Sequence, residues 1–230
     1  MFLPSINFSE VKRVVLFSPI PEWNYFSKGF PSLKITNWLN INFRELKKGI
    51  LICGPLLSSP LLAILMETLK EKGLKEILFI GWAGKNPYGD LEVGELFIPQ
   101  KAYSLEGTSK FYYKKKKVFT PQKDFFFKIK KTLTNYEIPF KMGNILTVDV
   151  PHIVEKKLKE FKLFFEKAQA MDMETSALYA ISFYYNIKAL SLLFITDEIG
   201  KTFSFRPESK LKLLREKLLS FLRDFIEEKI

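Results

Sequence analysis

Short apolar runs alternate along this chain with segments of helical periodicity. Continuous apolar runs predict strands, and apolar residues at three- and four-residue steps predict helices. Strands alternating with helices favour a three-layer α/β/α fold around a mixed, mostly parallel sheet with both faces covered. The predicted strands span 14–17, 50–53, 77–80, 96–98 and 189–195, and the predicted helices span 59–72, 123–133, 154–166, 176–185 and 208–228.

The last predicted helix carries an apolar stripe that favours packing against a core or an interface. The stripe consists of Leu211, Leu214, Leu218, Leu222 and Phe225. The chain has 230 residues, a length that one core can serve, and it shows no repeat or linker. We therefore predict a single domain over 1–230.

Composition favours a folded protein of the cytoplasm. Hydrophobic residues make up 47% of the chain and 23 residues are Phe, which predicts an aromatic interior. We expect no secretory segment and no membrane span, because the first ten residues lack a signal pattern and no apolar run is long enough. Cys53 is the only cysteine, so it cannot form an intramolecular disulfide, and we expect it buried in a strand. One His and one Cys also cannot assemble an ordinary zinc site, so no metal is expected.

The formal charge of +11 suits an anionic partner, but the basic residues are scattered. The one tight run, 114–117, lies between aromatic residues and predicts a solvated hairpin tip; a nucleic-acid patch is the alternative that we disfavour. Abundant lysine with only three Gln is typical of a thermophile's protein.

Candidate chemistry is concentrated in the segment 170–179, where Asp172 and Glu174 flank Met173. A carboxylate can accept hydrogen bonds from two vicinal hydroxyls while a thioether packs on the apolar face of a sugar ring. The alternative is an acidic first helical turn, which the helix dipole favours.

Loops after parallel strands meet at one edge of a sheet, so 19–23, 54–59, 81–86 and 196–200 should converge there. Asp197 follows an apolar strand, a half-desolvated position that suits a general acid, although it could instead cap the next helix.

In the loop 81–86, Gly81 and Gly84 would let backbone N–H groups approach a ligand, unless they serve a plain turn.

The segment 170–179 resembles the Glu-Met-Glu signature of the nucleoside phosphorylase family, which includes purine and uridine phosphorylases and nucleosidases. Further stretches match that family in the same order: 81–84, 93–99, 106–109, 143–149 and 196–197. The resemblance implies a nucleoside phosphorylase-like fold, cleavage of an N-glycosidic bond, a small-molecule nucleoside as substrate, and a homodimer or homohexamer.

Four site residues take their roles from the resemblance. Asp197 matches the residue that acts on a purine base, which favours purine over pyrimidine. Glu174 resembles the glutamate that binds the ribose hydroxyls, and Met173 the methionine beneath the sugar. Asp172 departs from the family's usual glutamate and would contact the ribose differently or serve only the fold.

Four further residues are expected near the reacting groups. Glu22 resembles the glutamate with which hydrolytic members activate water, and a solvated loop carboxylate is the alternative. His152 lies where the family carries aromatic residues that stack on the base, and a surface position is the alternative. Trp82 and Gly84 are expected beside the base.

The resemblance fails at the phosphate site. The family's Gly-Asp-Pro-x-Arg loop is replaced by 18–22, its arginine by Phe79 and its hydroxyl residue by Trp82. A phosphate dianion needs charge-assisted donors, which only substitutes such as Lys34 or Arg44, supplied by a neighbouring subunit, could provide. Water is therefore favoured as acceptor, with inorganic phosphate the remaining co-substrate and no other cofactor expected.

Two alternatives to catalysis stay open. Trp82 and Phe79 could have filled the phosphate pocket of a protein that binds a nucleoside or base without cleaving it. A basic nucleic-acid-binding protein is the remote alternative.

Overall fold

The computed structural model describes residues 8–201 and 208–229. The strands described there are β1 Val11–Phe17, β2 Lys34–Trp38, β3 Ile41–Lys47, β4 Gly49–Gly54, β5 Glu76–Lys85, β6 Leu96–Ser104, β7 Val118–Phe119, β8 Lys141–Thr147, β9 Ala170–Asp172 and β10 Lys188–Glu198. The helices are α1 Ile20–Ser27, α2 Ser59–Glu71, α3 Ser109–Tyr112, α4 Lys123–Asn135, α5 Pro151–Lys156, α6 Lys162–Phe165, α7 Thr175–Tyr184 and α8 Glu208–Ile226.

The strands form one mixed sheet with helices on both sides, as the alternation predicted. Its order is β10-β6-β8-β9-β5-β1-β4-β3-β2, with β7 added beside β6. The strands β4, β1, β5 and β10 run parallel and form the centre. Because β5 also pairs with β9, the strands β5, β10, β6, β8 and β9 close into a ring.

The central strands are apolar throughout because both of their faces are covered. Every residue of β4 is buried, including Cys53, and burial raises the pKa of that thiol. The apolar stripe of α8 is also buried, which confirms the predicted face: its members are Leu211, Leu214, Leu218, Leu222 and Phe225.

The predicted helix over 154–166 was wrong. The structure has two short helices, α5 and α6, separated by turns at 157–161. In the intervening turn Leu158 packs against Gly200, where an added Cβ would lie 2.6 Å from its Cδ1 atom. A tertiary contact therefore outweighs the helical periodicity of this lysine-rich segment.

The sequence pattern missed the β2–β3 hairpin and strand β8. Most of the residues of β2 are exposed and half of β8 is polar or half-buried, so neither strand carries a continuous apolar run. Hydrogen bonds to neighbouring strands, rather than burial, define these elements.

Two surface expectations can be compared with the structure. Residues 114–117 are exposed between α3 and β7, as predicted for a solvated tip. In the described parts of the chain, no helix combines the length and the apolar composition needed to cross a bilayer.

Candidate active site

A cleft of about 230 Å³ lies where the central parallel strands end. It collects residues from loops far apart in sequence, as expected for the carboxyl edge of such a sheet. Its lining consists of Ser18, Pro19, Leu57, Trp82, Ala83, Gly84, Pro151, Glu155, Met171, Asp172, Met173, Glu174, Thr196, Asp197 and Ile199.

A larger cavity of about 310 Å³ lies between α8 and the starts of β6 and β8. It is mostly apolar, and its only carboxylate is Glu95. We place the candidate site in the smaller cleft because carboxylates from three separate segments converge there, which a chemical step needs more than volume.

Asp197 reaches the cleft through an irregularity in the β5–β10 ladder. Ile195 pairs with Ala83, but Asp197 pairs with Gly84, so one extra residue of β10 is inserted between the two pairs. Such a bulge bends the strand and redirects side chains. Thr196 donates a hydrogen bond from Oγ1 to Oδ1 of Asp197 at 2.7 Å.

Gly84 makes room for the carboxylate of Asp197. A Cβ added at Gly84 would lie 3.3 Å from Oδ2 of Asp197 and 3.0 Å from Cγ1 of Ile199. Gly84 lines the cleft, and the absence of its side chain leaves the approach to Asp197 open. Gly81 is different, since an added Cβ there would lie 2.7 Å from the Phe79 ring, so its role is internal packing.

Glu174 lies at the cleft immediately before α7, and only 4% of its surface is exposed. Its Oε1 atom accepts a hydrogen bond of 3.0 Å from the backbone N–H of Ser58. Burial, together with the nearby charge of Asp172, raises the pKa of Glu174 to about 8. The carboxyl is therefore mostly neutral at pH 7, with one oxygen anchored.

Ser58 adopts an unusual backbone conformation to make that bond. Its φ of +131° lies in a region that residues other than glycine rarely occupy. The adjacent Ser59 donates a 2.6 Å hydrogen bond to the carbonyl of Met173. Together they tie the start of α2 to the Met173–Glu174 segment.

Asp172 also lines the cleft, but its two oxygens bind protein donors. Oδ1 accepts from Thr147 Oγ1 at 2.7 Å, and Oδ2 accepts from the backbone N–H of Thr175 at 2.9 Å. Burial raises the pKa of Asp172 to about 6. The sequence left open whether Asp172 contacts the ribose or serves only the fold, and these bonds favour the second role.

Another buried carboxylate, Glu106, supports helix α7. It accepts hydrogen bonds from the hydroxyls of Ser104 and Ser176, each at 2.8 Å, and from the hydroxyl and the backbone N–H of Ser109. Because Ser176 lies in the first turn of α7, Glu106 fixes the helix that follows Glu174. The sequence showed the motif but not this role.

His152 does not line the cleft. Its side chain is 70% exposed and its Nδ1 atom lies 3.8 Å from Oε2 of Glu155. The residues of α5 that reach the cleft are Pro151 and Glu155. The preceding residue, Pro151, lines the cleft, and His152 takes the surface position that was its alternative.

Glu22 does not line the cleft either, and it is neither in a loop nor solvated. It belongs to α1 and is fully buried. Arg215 of α8 donates to it from Nε at 2.9 Å and from Nη2 at 2.6 Å. The indole Nε1 of Trp82 donates to the same carboxylate at 2.9 Å. The Glu22 side chain therefore lacks the exposure that the predicted contact with the reacting water requires.

Trp82 does line the cleft, as do Ser18 and Ala83. Neither cation considered as a phosphate ligand joins it there. Lys34 lies at the start of β2 with its Nζ 5.5 Å from the Phe8 ring, and Arg44 donates to the carbonyl of Ser27 at 2.8 Å. Within the described residues of this chain, neither reaches the cleft.

Two lining residues, Pro151 and Glu155, were not predicted from the sequence, because neither residue type signals a site. The pairing of Arg215 with Glu22, outside the cleft, also left no local pattern, since 193 positions separate the two residues. Over residues 8–201 and 208–229, no group of three His, Cys, Asp or Glu side chains is placed to hold a metal ion.

Comparison with known sequences identifies the family. The model of the Phosphorylase superfamily matches residues 40–227. A DeoD-type purine nucleoside phosphorylase from Brevibacillus brevis is 29% identical over 135 residues, 58% of this chain and 56% of that protein. A 5′-methylthioadenosine/S-adenosylhomocysteine nucleosidase from Buchnera aphidicola is 24% identical over 147 residues, 61% of this chain and 63% of that protein. The matched segments thus span less than two thirds of either relative.

Solved structures agree with the fold. An AMP nucleosidase from Bacteroides thetaiotaomicron has a TM-score of 0.73 at 20% identity, over 94% of this chain and 90% of its own. A Vibrio fischeri uridine phosphorylase has a TM-score of 0.77 at 20% identity, over 95% of this chain and 91% of its own. A Helicobacter pylori futalosine hydrolase has a TM-score of 0.76 at 18% identity, over 95% of this chain and 98% of its own. With a family match over most of its length and this fold, the chain belongs to the phosphorylase superfamily.

Proposed function

We propose that the protein cleaves the N-glycosidic bond of a nucleoside and releases the free base. The observation that carries this proposal is the meeting of Asp197 and Glu174 in one cleft, from the end of β10 and the start of α7. One carboxyl group suits the leaving base and the other the sugar. The relatives named above, which are phosphorylases and nucleosidases, support the reaction class.

In the proposed mechanism, the bond between C1′ and the base nitrogen breaks with its electron pair leaving on the base. Asp197 donates a proton or a hydrogen bond to the base as negative charge develops there. Glu174 accepts hydrogen bonds from the ribose hydroxyls, and Met173 packs against the sugar. The sugar passes through an oxocarbenium-like state, and an acceptor oxygen then bonds to C1′; when the acceptor is water, the proton that it loses passes to solvent, and Asp197 regains a proton from solvent.

A purine is the favoured base. The cleft that holds Asp197 also has apolar lining on which an aromatic ring could pack. The residues that supply it are Pro151, Met171, Ile199 and the backbone at Gly84. A carboxyl group beside N7 assists a purine, whereas a pyrimidine has no ring nitrogen there.

Water is the favoured acceptor. Among the described residues that line the cleft, none is Lys or Arg, so a phosphate dianion would be without charge-assisted donors. Because Glu22 is withdrawn behind Trp82, this proposal assigns it no contact with water. An oxocarbenium-like sugar is reactive enough to capture water, so departure of the base is the step that needs help.

The test is release of free base from a panel of purine and pyrimidine nucleosides, including 5′-modified ones, with and without phosphate, followed by chromatography. Release of a purine without phosphate supports the proposal, and phosphate-dependent release would reassign the acceptor. Saturable binding of a nucleoside with no release from any panel member would favour the alternative, a binding protein. The withdrawn position of Glu22 is the observation that keeps this alternative in view.

A further inference from the structure

The larger cavity, between α8 and the starts of β6 and β8, is separate from the candidate active site. We call it the α8 cavity. It has a volume of about 310 Å³ and shares no lining residue with the cleft that holds Asp197 and Glu174. A ligand bound in the α8 cavity would therefore leave the residues of the proposed nucleoside cleavage free.

Backbone hydrogen bonds fix one side of the α8 cavity. The N–H of Gly94 donates to the carbonyl of Ile195 at 2.8 Å, and the N–H of Ile195 donates to the carbonyl of Glu95 at 2.9 Å. The next residue, Leu96, pairs with Phe194 in the antiparallel ladder between β6 and β10. This side of the cavity is therefore part of the sheet, and it is formed before any ligand binds.

Helix α8 forms the opposite side and is held against the chain that leads into β8. Lys217 donates from Nζ to the carbonyl of Glu137 at 2.9 Å. The ring of Tyr136 meets the ring of Phe221 edge-on, with their centroids 6.0 Å apart. Because these contacts fix the distance between α8 and residues 136–137, the helix does not close the space beside Phe140.

The interior of the α8 cavity is hydrocarbon that the fold leaves partly uncovered. Leu214 is buried with the apolar stripe of α8, but its neighbour Leu213 is 58% exposed. Pro139 and Phe140 line the cavity with them. Concave apolar surface of this kind binds apolar ligands, because the ligand releases water from it. At about 30 Å³ for each water-sized volume, the cavity has room for roughly ten non-hydrogen atoms.

Positive charge surrounds this apolar space. Lys141, Lys210 and Lys217 line the cavity, against the single carboxylate of Glu95. One oxygen of that carboxylate, Oε2, accepts a hydrogen bond of 2.9 Å from the backbone N–H of Glu92. Lys141 and Lys210 are exposed, so their ammonium groups can move toward a ligand. An anionic head group would meet opposite charges here, whereas a cationic one would meet like charges.

From this combination we propose that the α8 cavity is a second ligand site, which binds a small amphipathic organic anion with a carboxylate head group. Its apolar body packs against Leu213, Leu214 and Phe140, and its carboxylate lies beside Lys141 and Lys210. The volume limits the body to roughly eight carbon atoms. The proposal goes beyond nucleoside cleavage and does not depend on it, because the cleft uses none of these residues.

Octanoate is the probe, since its chain and head group together have roughly ten non-hydrogen atoms. Calorimetry at pH 7 compares it with octylammonium, which has the same chain and the opposite charge, and with butanoate, which has the same head group and a shorter chain. We expect octanoate to bind with a dissociation constant below about 1 mM, and both other compounds to bind about tenfold more weakly or worse. Absence of saturable octanoate binding, or equal affinity for octylammonium, would overturn the proposal.

Two double variants with the same change of charge locate the binding. Lys141→Glu combined with Lys210→Glu should weaken octanoate binding about tenfold or more, because the head group then meets carboxylates. Lys48→Glu combined with Lys75→Glu is the matched control, since both lysines are exposed and lie outside the cavity. The control should stay within about twofold of the unaltered protein. Equal weakening in the two double variants would show attraction by the overall positive charge alone and would refute the site.

A third comparison tests the apolar part of the site. Leu213→Asp should also weaken octanoate binding about tenfold, whereas Leu163→Asp, on a leucine of α6 that is 70% exposed, should not. Light scattering follows the mass of each variant. If Leu213→Asp instead splits an assembly of the unaltered protein that octanoate does not enter, a second copy covers the cavity and the proposal is wrong. Base release is not a readout here, so failure of the proposed cleavage would leave these results unaffected.

Discussion

Carboxylates that line the cleft and the carboxylate that lies outside it, bonded to Trp82, are held in opposite ways. In the cleft, Asp197 and Glu174 are each tied to the protein by a hydrogen bond to one oxygen. Outside the cleft, Glu22 and Arg215 form a buried ion pair, and Trp82 donates to the same Glu22 carboxylate. A charged residue near a cleft can bind a ligand only if its protein partners leave part of its charge or one of its hydrogen-bonding positions unused.

This contrast also separates two consequences of burial. Glu174 is buried without a cation, so its neutral form is favoured and its pKa rises. Glu22 is buried against a guanidinium with bidentate geometry, which stabilises both charges together. The first arrangement leaves a group that can respond to a ligand, and the second gives a rigid wall.

The largest expected effect comes from breaking the ion pair between Glu22 and Arg215. Glu22→Gln removes the carboxylate charge that faces the buried guanidinium of Arg215 and should lower the free energy of unfolding by about 3–5 kcal/mol. Denaturant unfolding measures it, with Glu160→Gln as the control because the pair between Lys157 and Glu160 is exposed. That control should lose less than about 1 kcal/mol. Equal losses in the two variants would contradict the proposed difference.

In the cleft, Asp197→Asn should affect catalysis rather than folding. Loss of a general acid should lower kcat/KM for a purine nucleoside by about 100-fold, which is about 2.7 kcal/mol of barrier. Steady-state kinetics and a thermal melt measure the two properties. Asp90→Asn, on an exposed carboxylate outside the cleft, is the matched control. Unchanged turnover in Asp197→Asn would remove this residue from the mechanism.

Glu174→Gln should weaken binding of the ribose. Above pH 8, where Glu174 is ionised, losing the carboxylate as hydrogen-bond acceptor should reduce affinity by roughly 1.5–3 kcal/mol, because bonds to a charged group are the strong ones. Calorimetry with a nucleoside and with its free base separates the contributions. Binding of the base alone should not change, and a variant that binds the nucleoside as tightly as the parent would refute the assignment.

The same substitution should also change how the stability of the protein depends on pH. The folded pKa of Glu174, about 8, exceeds its ordinary value of 4.5, so the folded state holds the proton more tightly. The associated stability is complete below about pH 4.5 and is lost as pH rises toward 8. Glu174→Gln lacks this titration, so its stability should fall less than that of the parent as the pH rises from 5 to 8. Parallel stability profiles from pH 5 to 8 would show that Glu174 does not titrate in this range.

The smallest expected effect concerns the space beside Asp197. Gly84→Ala places a methyl group 3.3 Å from Oδ2 of Asp197 and should turn that carboxylate aside, lowering kcat/KM by roughly tenfold, about 1.4 kcal/mol. Gly89→Ala is the control, because an added Cβ there meets its nearest atom at 3.6 Å. Equal activity in the two variants would show that the gap at Gly84 is not needed.

Prediction from sequence succeeded where one segment carried the whole signal. The apolar runs of β4 and β10 identify buried strands, because both faces of a central parallel strand must be apolar. The segment Asp172 to Glu174 and the end of β10 were predicted to hold site residues, and the structure brings them to one cleft. Prediction failed at His152, where the residue type drew attention and the direction of the side chain was unknown.

Two features depended on contacts that no local pattern encodes. The bulge that aims Asp197 depends on the register between β5 and β10. The break between α5 and α6 depends on Leu158 meeting Gly200.

The sequence by itself determined the alternating α/β architecture, the family resemblance and the carboxylates that could act on a nucleoside. Periodicity and motif spacing are local properties, so a single chain is enough to show them. Only the tertiary structure decided which of those carboxylates are available. Glu22 was a reasonable candidate until Arg215, 193 positions away, was found to neutralise it. Whether a charge is free depends on which distant residue folding places beside it, and that information exists only in three dimensions.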